Sequence, residues 1–203
     1  MTDKKPRILF MGTPDFAVPS LELLVEKSWP VIGVVTQPDR PKGRGQRLVA
    51  SPVKEAAARH GLTVHQPEKV RAPEFLETVR TLAPELVVLV AFGQILPKEI
   101  IDGPPLGCVN VHPSLLPKYR GAAPMNWALI RGEAKTGISI MRMDEGVDSG
   151  DILLQEETAI EPGETYDHLH DRLAVMGAQC LLRALEGLAD GTVRRVSQNH
   201  ALA

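Results

Sequence analysis

Aromatic residues make up only 4% of the 203-residue chain. Platforms that hold single-stranded nucleic acid stack bases on exposed rings, so this chain is poorly suited to that task. Cysteine is scarcer still. Cys108 and Cys180 are too few and too far apart to form a disulfide framework. No C-x-x-C or H-E-x-x-H pattern occurs. The pairs Cys108/His112 and His168/His170 do not assemble a four-ligand site, so no metal is expected. His168 and His170 are expected on the surface of the last helix, and Cys108 as a small apolar residue within a strand. No apolar run approaches the ~18 residues that span a bilayer. The polar start, Met1 to Pro6, has no apolar segment or cleavage site of a signal peptide. A cytoplasmic chain without a membrane partner is therefore expected.

Charge of one sign is also lacking, for the net value is −2. Its distribution is uneven. Residues 1–54 hold nine Lys/Arg and five Asp/Glu, or +4, and the remainder holds 14 and 20, or −6. A cationic N-terminal part points to an anionic partner.

The chain does contain alternating strand-like and helix-like segments. Ile8 to Met11, Val31 to Thr36, Leu62 to Val64, Leu86 to Ala91 and Cys108 to His112 read as strands. Leu86 to Ala91 is continuously apolar, as a strand buried on both faces requires. Helical spacing falls at Pro19 to Leu24, Ser51 to His60 and Pro73 to Leu82. Ser51 is placed as an N-cap with Pro52 in the first helical position. This order predicts an α/β domain with a mostly parallel sheet flanked by helices. Gly137 to Met143 and Ile152 to Thr158 follow without a helix between them. They are expected as added antiparallel edge strands near the C-terminal part. Glu164 to Leu188 reads as one long helix with Leu169, Leu173, Met176 and Leu181 facing the core. Periodicity then fades from Gly191 to Ala203, which reads as the start of a linker.

Three segments carry chemistry. Gly12-Thr13-Pro14-Asp15-Phe16 joins a first strand to a first helix but lacks G-x-G-x-x-G, so a dinucleotide site is disfavoured. Gln37 to Arg47 is expected as a long basic loop, either solvated or in contact with phosphate. The third segment is Asn110-Val111-His112-Pro113-Ser114-Leu115-Leu116-Pro117, answered by Asp148 within Gly146-Val147-Asp148-Ser149-Gly150. Residues two apart on a strand share a face, so Asn110 and His112 project together. An amide can hold a developing oxyanion. An imidazole can move a proton, and Asp148 can orient it.

These residues resemble the folate-dependent formyltransferases, in the His112 to Pro117 motif with Asn110 and Asp148. The likeness extends in order over nearly the whole chain, through Gly12 to Ala17, Thr36 to Pro41, Gly43-Arg44-Gly45, Ser51 to Lys54 and Tyr119 to Pro124. Within the family, these motifs resemble members whose acceptor is the α-amine of methionine carried by initiator tRNA. A family member acting on a small-molecule amine or on water is the alternative.

The resemblance implies a Rossmann-like fold, a 10-formyltetrahydrofolate donor and a role in translation initiation. It implies that Asn110, His112 and Asp148 are catalytic. Ser114, Leu115, Leu116 and Pro117, with Phe92, Gly93, Gln94 and Ile95, would contact folate. Arg40, Lys42, Arg44 and Arg47 would contact tRNA. Residues 1–190 would form the formyltransferase domain and 191–203 the start of an interdomain linker, without the family's C-terminal β-barrel. A monomer is expected.

Overall fold

The computed structural model describes residues 5–42 and 47–203, and of Lys42 and Arg47 only the backbone. Seven strands form one sheet in the order β5-β2-β1-β6-β7-β8-β9, counting strands along the chain as introduced below. Contacts divide the described chain into a unit of residues 5–108 and a unit of residues 109–203.

In the first unit, β1 (Ile8–Gly12) pairs in parallel with β2 (Val31–Val35) and with β6 (Leu86–Val90). β2 pairs in parallel with the short β5 (Val64–His65). Every residue of β1 and β6 is buried, which explains their unbroken apolar sequence. Helices α1 (Val18–Glu26), α2 (Pro52–Arg59), α3 (Pro73–Leu82) and the short α4 (Lys98–Ile101) connect the strands. The Ser51 hydroxyl accepts from the Lys54 N–H at 3.1 Å, as an N-cap should.

The described ends of the stretch expected as a long loop form strands. Strands β3 (Arg40–Lys42) and β4 (Arg47–Val49) pair as an antiparallel ribbon, with Arg40 opposite Val49 and Lys42 opposite Arg47. Backbone pairing satisfies groups that a loop leaves to water. The third strand is also shifted, to Val64–His65, because Val34 and Thr36 bond the Thr63 and His65 carbonyls.

The strand β7 (Cys108–His112) leads into the second unit. There it pairs antiparallel with β8 (Lys135–Arg142), which pairs antiparallel with β9 (Ile152–Ala159). The short helix α5 (Pro124–Ile130) precedes β8, and α6 (Tyr166–Ala189) follows β9. Leu169, Leu173 and Leu181 are buried on α6, while Met176 is only partly so. Small residues complete the stripe. Gly177 allows α6 to approach the sheet so closely that a Cβ there would lie 3.0 Å from Val111 and 3.5 Å from Ile138.

Gly137, within β8, has a stricter requirement. A Cβ at this position would overlap the Glu156 carbonyl of β9 and lie 2.7 Å from Leu115. Gly137→Ala is therefore expected to cost ~1–3 kcal/mol through overpacking. A denaturant midpoint equal to that of the parent would contradict this.

The tail is more ordered than its sequence indicates. Val196 forms an antiparallel bridge with Ile152, Gln198 is 6% exposed, and His200–Leu202 closes a 3-10 turn. No helix among the described residues is long and apolar enough to cross a membrane.

Candidate active site

Asn110 and His112 lie on one face of β7, and Val111 points the other way, toward Gly177 of α6. Both polar side chains are buried, at 8% and 4% exposure. Asp148 reaches them from the loop after β8. Asn110 Nδ2 donates to Asp148 Oδ1 at 3.3 Å, and His112 Nδ1 lies 3.5 Å from Asp148 Oδ2. The three residues thus converge as their sequence pattern predicts.

Asp148 is also held by the backbone. The Gly121 N–H donates to its Oδ2 at 2.8 Å. Asp148 itself has φ +47, a left-handed conformation uncommon outside glycine. Tyr119 is also left-handed, at φ +57, and its carbonyl lies 2.8 Å from His112 Nε2. Both imidazole nitrogens therefore face acceptors, and only the doubly protonated ring can donate to both. An amide carries two N–H donors. Asn110 directs one to Asp148.

The turn after His112 is tied to the sheet. Ser139 Oγ donates to the Ser114 carbonyl at 2.6 Å and accepts from the Leu116 N–H at 3.1 Å. Gln155 Nε2 donates to Ser139 Oγ and to the Leu116 carbonyl, at 2.8 and 3.0 Å. The Leu116–Pro117 peptide is cis. Ser114 and Leu116 are buried, and the Ser114 hydroxyl donates to the Lys118 carbonyl at 2.7 Å. Leu115 and Pro117 instead line a cavity of about 510 Å³ with Lys118, Tyr119, Thr136 and Leu202. The Tyr119 hydroxyl donates to Glu133 beside it. That bond raises the phenol pKa and lowers that of the Glu133 carboxyl.

Phe92, Gly93, Gln94 and Ile95 belong to the first unit, just beyond the carboxyl end of β6. Thr13 Oγ1 and Gln37 Nε2 donate to the Phe92 carbonyl, at 2.9 and 3.2 Å. These loops leave the carboxyl ends of three parallel strands, where open α/β sheets bind ligands. Phe92 is buried. Gln94 accepts from the Val70 N–H at 3.0 Å and donates to Gln37 Oε1 at 3.3 Å, which fixes the loop. Gly93 (φ +88) and Ile95 are exposed. A cavity of about 590 Å³ opens at the opposite, amino ends of β1 and β6, beside Arg7, Glu85 and Pro104. It contains none of the candidate residues.

Arg40 is exposed at the start of β3. Lys42 and Arg47 close the described part of the ribbon, and Arg44 lies outside the described residues. The one anion of that segment, Asp39, secures its base. Lys54 Nζ and Gln66 Nε2 bond its carboxylate at 2.6 and 2.7 Å, and the Lys54 bond is the leading cause of its lowered pKa.

Ser139 and Gln155 were not singled out in the sequence, and Tyr119 and Gly121 only as members of the Tyr119 to Pro124 motif, with no role given to their backbone groups. Ser139 had a visible signal, a hydroxyl inside the apolar run Ile138 to Met141. Backbone groups have none. His168 is exposed, and His170 bonds Asp171 at 3.0 Å. Cys108 and Cys180 are buried thiols.

The chain is 59% identical over 199 residues to methionyl-tRNA formyltransferase of Syntrophus aciditrophicus, matching 98% of this chain and 64% of that one. It is 55% identical over 196 residues to the protein of the same name from Geotalea uraniireducens, matching 97% of this chain and 63% of that one. The chain thus spans just under two-thirds of the length of these curated relatives. Among solved structures, it resembles glycinamide ribonucleotide transformylase 1 from Symbiobacterium toebii, with TM-score 0.79, 21% identity and coverage of 97% and 96% of the two chains. The sugar 3N-formyl transferase WlaRD matches with TM-score 0.71, 18% identity and coverage of 97% and 68%. At these identities the structures establish the Rossmann-like fold alone. The model of the formyl transferase family matches residues 6–185, so the chain belongs to that family.

Proposed function

We propose that the protein transfers a formyl group from 10-formyltetrahydrofolate to the α-amine of methionine esterified to initiator tRNA. One observation carries the acceptor assignment: 59% identity to a methionyl-tRNA formyltransferase across nearly the whole chain. The donor assignment rests on the family. In the second unit Leu115 and Pro117, which line the cavity, are offered for folate; in the first, the Gly93–Ile95 loop is offered.

In the reaction, the amine nitrogen attacks the formyl carbon and a C–N bond forms. The formyl oxygen takes up negative charge, which the remaining Asn110 N–H and the His112 ring stabilise. The bond from the formyl carbon to N10 then breaks. His112 turns its Nε2 proton from the Tyr119 carbonyl to N10, and the proton lost by the amine replaces it, so charge and atoms balance. Asp148, 3.5 Å from Nδ1, holds the ring in place during the transfer. The location implied is the cytoplasm, where translation starts.

The test is formyl transfer to methionyl-tRNA by the complete polypeptide, with glycinamide ribotide and a sugar amine as competing acceptors. Faster transfer to either small amine would sink the acceptor assignment. The basic segment Gln37 to Arg47 supplies a second test. Arg44→Leu is expected to lower kcat/KM for tRNA by ~10-fold or more, as loss of a phosphate or groove cation does, while leaving folate affinity unchanged by calorimetry. Equal loss of both would remove this segment from tRNA recognition.

A further inference from the structure

Gln198 lies beyond residues 185 and 190, outside both the matched family region and the domain boundary expected from sequence. Its side chain is nevertheless buried against the Asp148 loop. Its Nε2 donates to the Asp148 carbonyl at 2.9 Å and to the Gly150 carbonyl at 2.8 Å. Its Oε1 accepts from Arg120 Nε and Nη2, at 3.0 and 2.7 Å. Both donors and both acceptor lone pairs of this amide are therefore engaged. Arg120 Nη2 also meets His200 Nδ1 at 3.1 Å.

These bonds close a circuit. The residue after Arg120 is Gly121, whose N–H binds the Asp148 carboxylate. Gln198 thus grips the Asp148 backbone directly and, through Arg120, the segment that holds the Asp148 side chain. Left-handed Asp148 has little intrinsic preference for this conformation, so its direction depends on what surrounds it.

We infer that Gln198 is a positioning residue for formyl transfer, a latch by which the segment after the last helix sets the placement of Asp148 against His112 and Asn110. The inference rests on the reading of these three residues as the reacting groups. A positioning residue of this kind acts on kcat. Donor binding, by residues that Gln198 itself does not touch, is left alone.

The experiment compares four variants of the complete polypeptide in steady-state formyl transfer, at a temperature where circular dichroism shows each to be folded. Gln198→Ala removes the whole latch. Gln198→Glu keeps its size and the Arg120 bond but loses both donors to the carbonyls, so it tests the latch even if the alanine variant does not fold. Ser197→Ala removes only the neighbouring bond to Asp151, 2.9 Å long and away from the site. Asp148→Ala reports on the site itself.

Misplacement of a reacting group by about 1 Å costs ~10²-fold, so both Gln198 variants are expected to lose roughly 10- to 100-fold in kcat. KM for the formyl donor should stay close to the parent value, and Ser197→Ala should match the parent in both constants. The latch is overturned if Gln198→Glu keeps the parent kcat, or if Ser197→Ala loses as much as Gln198→Ala. Undiminished turnover by Asp148→Ala would overturn the reading of the site, and the latch with it.

Discussion

Alanine in place of Asn110 is expected to lower kcat for formyl transfer by ~10²–10³-fold, the usual effect of losing one preorganised oxyanion donor. His112→Ala should cost ~10²–10⁴-fold, the range for a positioned proton carrier. Each loss should appear in kcat and kcat/KM together, because the interaction is made only in the transition state. The double variant should fall little below His112→Ala, since groups that act as a unit are not additive. Both side chains occupy polar positions on one face of β7, whose other face carries the packing against α6. The variants should therefore still fold, and circular dichroism can verify this. Turnover within a few-fold of the parent by either single variant would remove that residue from the reaction.

Phe10→Ala should have the largest effect on stability. Phe10 is fully buried in β1, opposite Val34 of β2 and Val88 of β6. Truncating a buried Phe removes its transfer energy and leaves a cavity, at ~3–5 kcal/mol. In a domain of this size that lowers Tm by roughly 6–20 °C, at ~2–4 °C per kcal/mol. β1 is paired along both edges and buried along its whole length, so the surrounding backbone has little freedom to collapse into the space. A calorimetric Tm within a degree or two of the parent would show that the core relaxes around the gap. The folded fraction should retain the parent kcat, which separates this variant from those at Asn110 and His112.

Much of this molecule was legible in its sequence because simple periodicities governed it. Buried parallel strands require unbroken apolar runs, and Leu86 to Ala91 is one. Ser51-Pro52 marked the start of a helix through capping chemistry that acts over three residues. Asn110 and His112 share a face because strand side chains alternate. Asp148 was joined to them only by its chemistry and its glycine-flanked turn, since nothing local connects residues 38 positions apart. The basic ribbon was read as a loop because proline and glycine mask the weak alternation of three-residue strands.

The tail shows the same limit more sharply. Residues 191–203 have no periodicity, yet Gln198 is buried there because two carbonyls of the Asp148 loop and the Arg120 guanidinium need partners. Such a requirement exists only once the chain is folded. By itself, the sequence determined the α/β order, the polar face of β7 and the family, all of which follow from local spacing and motif. The tertiary structure alone decided how Asp148 is held. It also decided which of Ser114 to Pro117 reach the cavity, and it gave the tail a role beside the site. Each of these depends on hydrogen bonds between segments that are brought together only by folding.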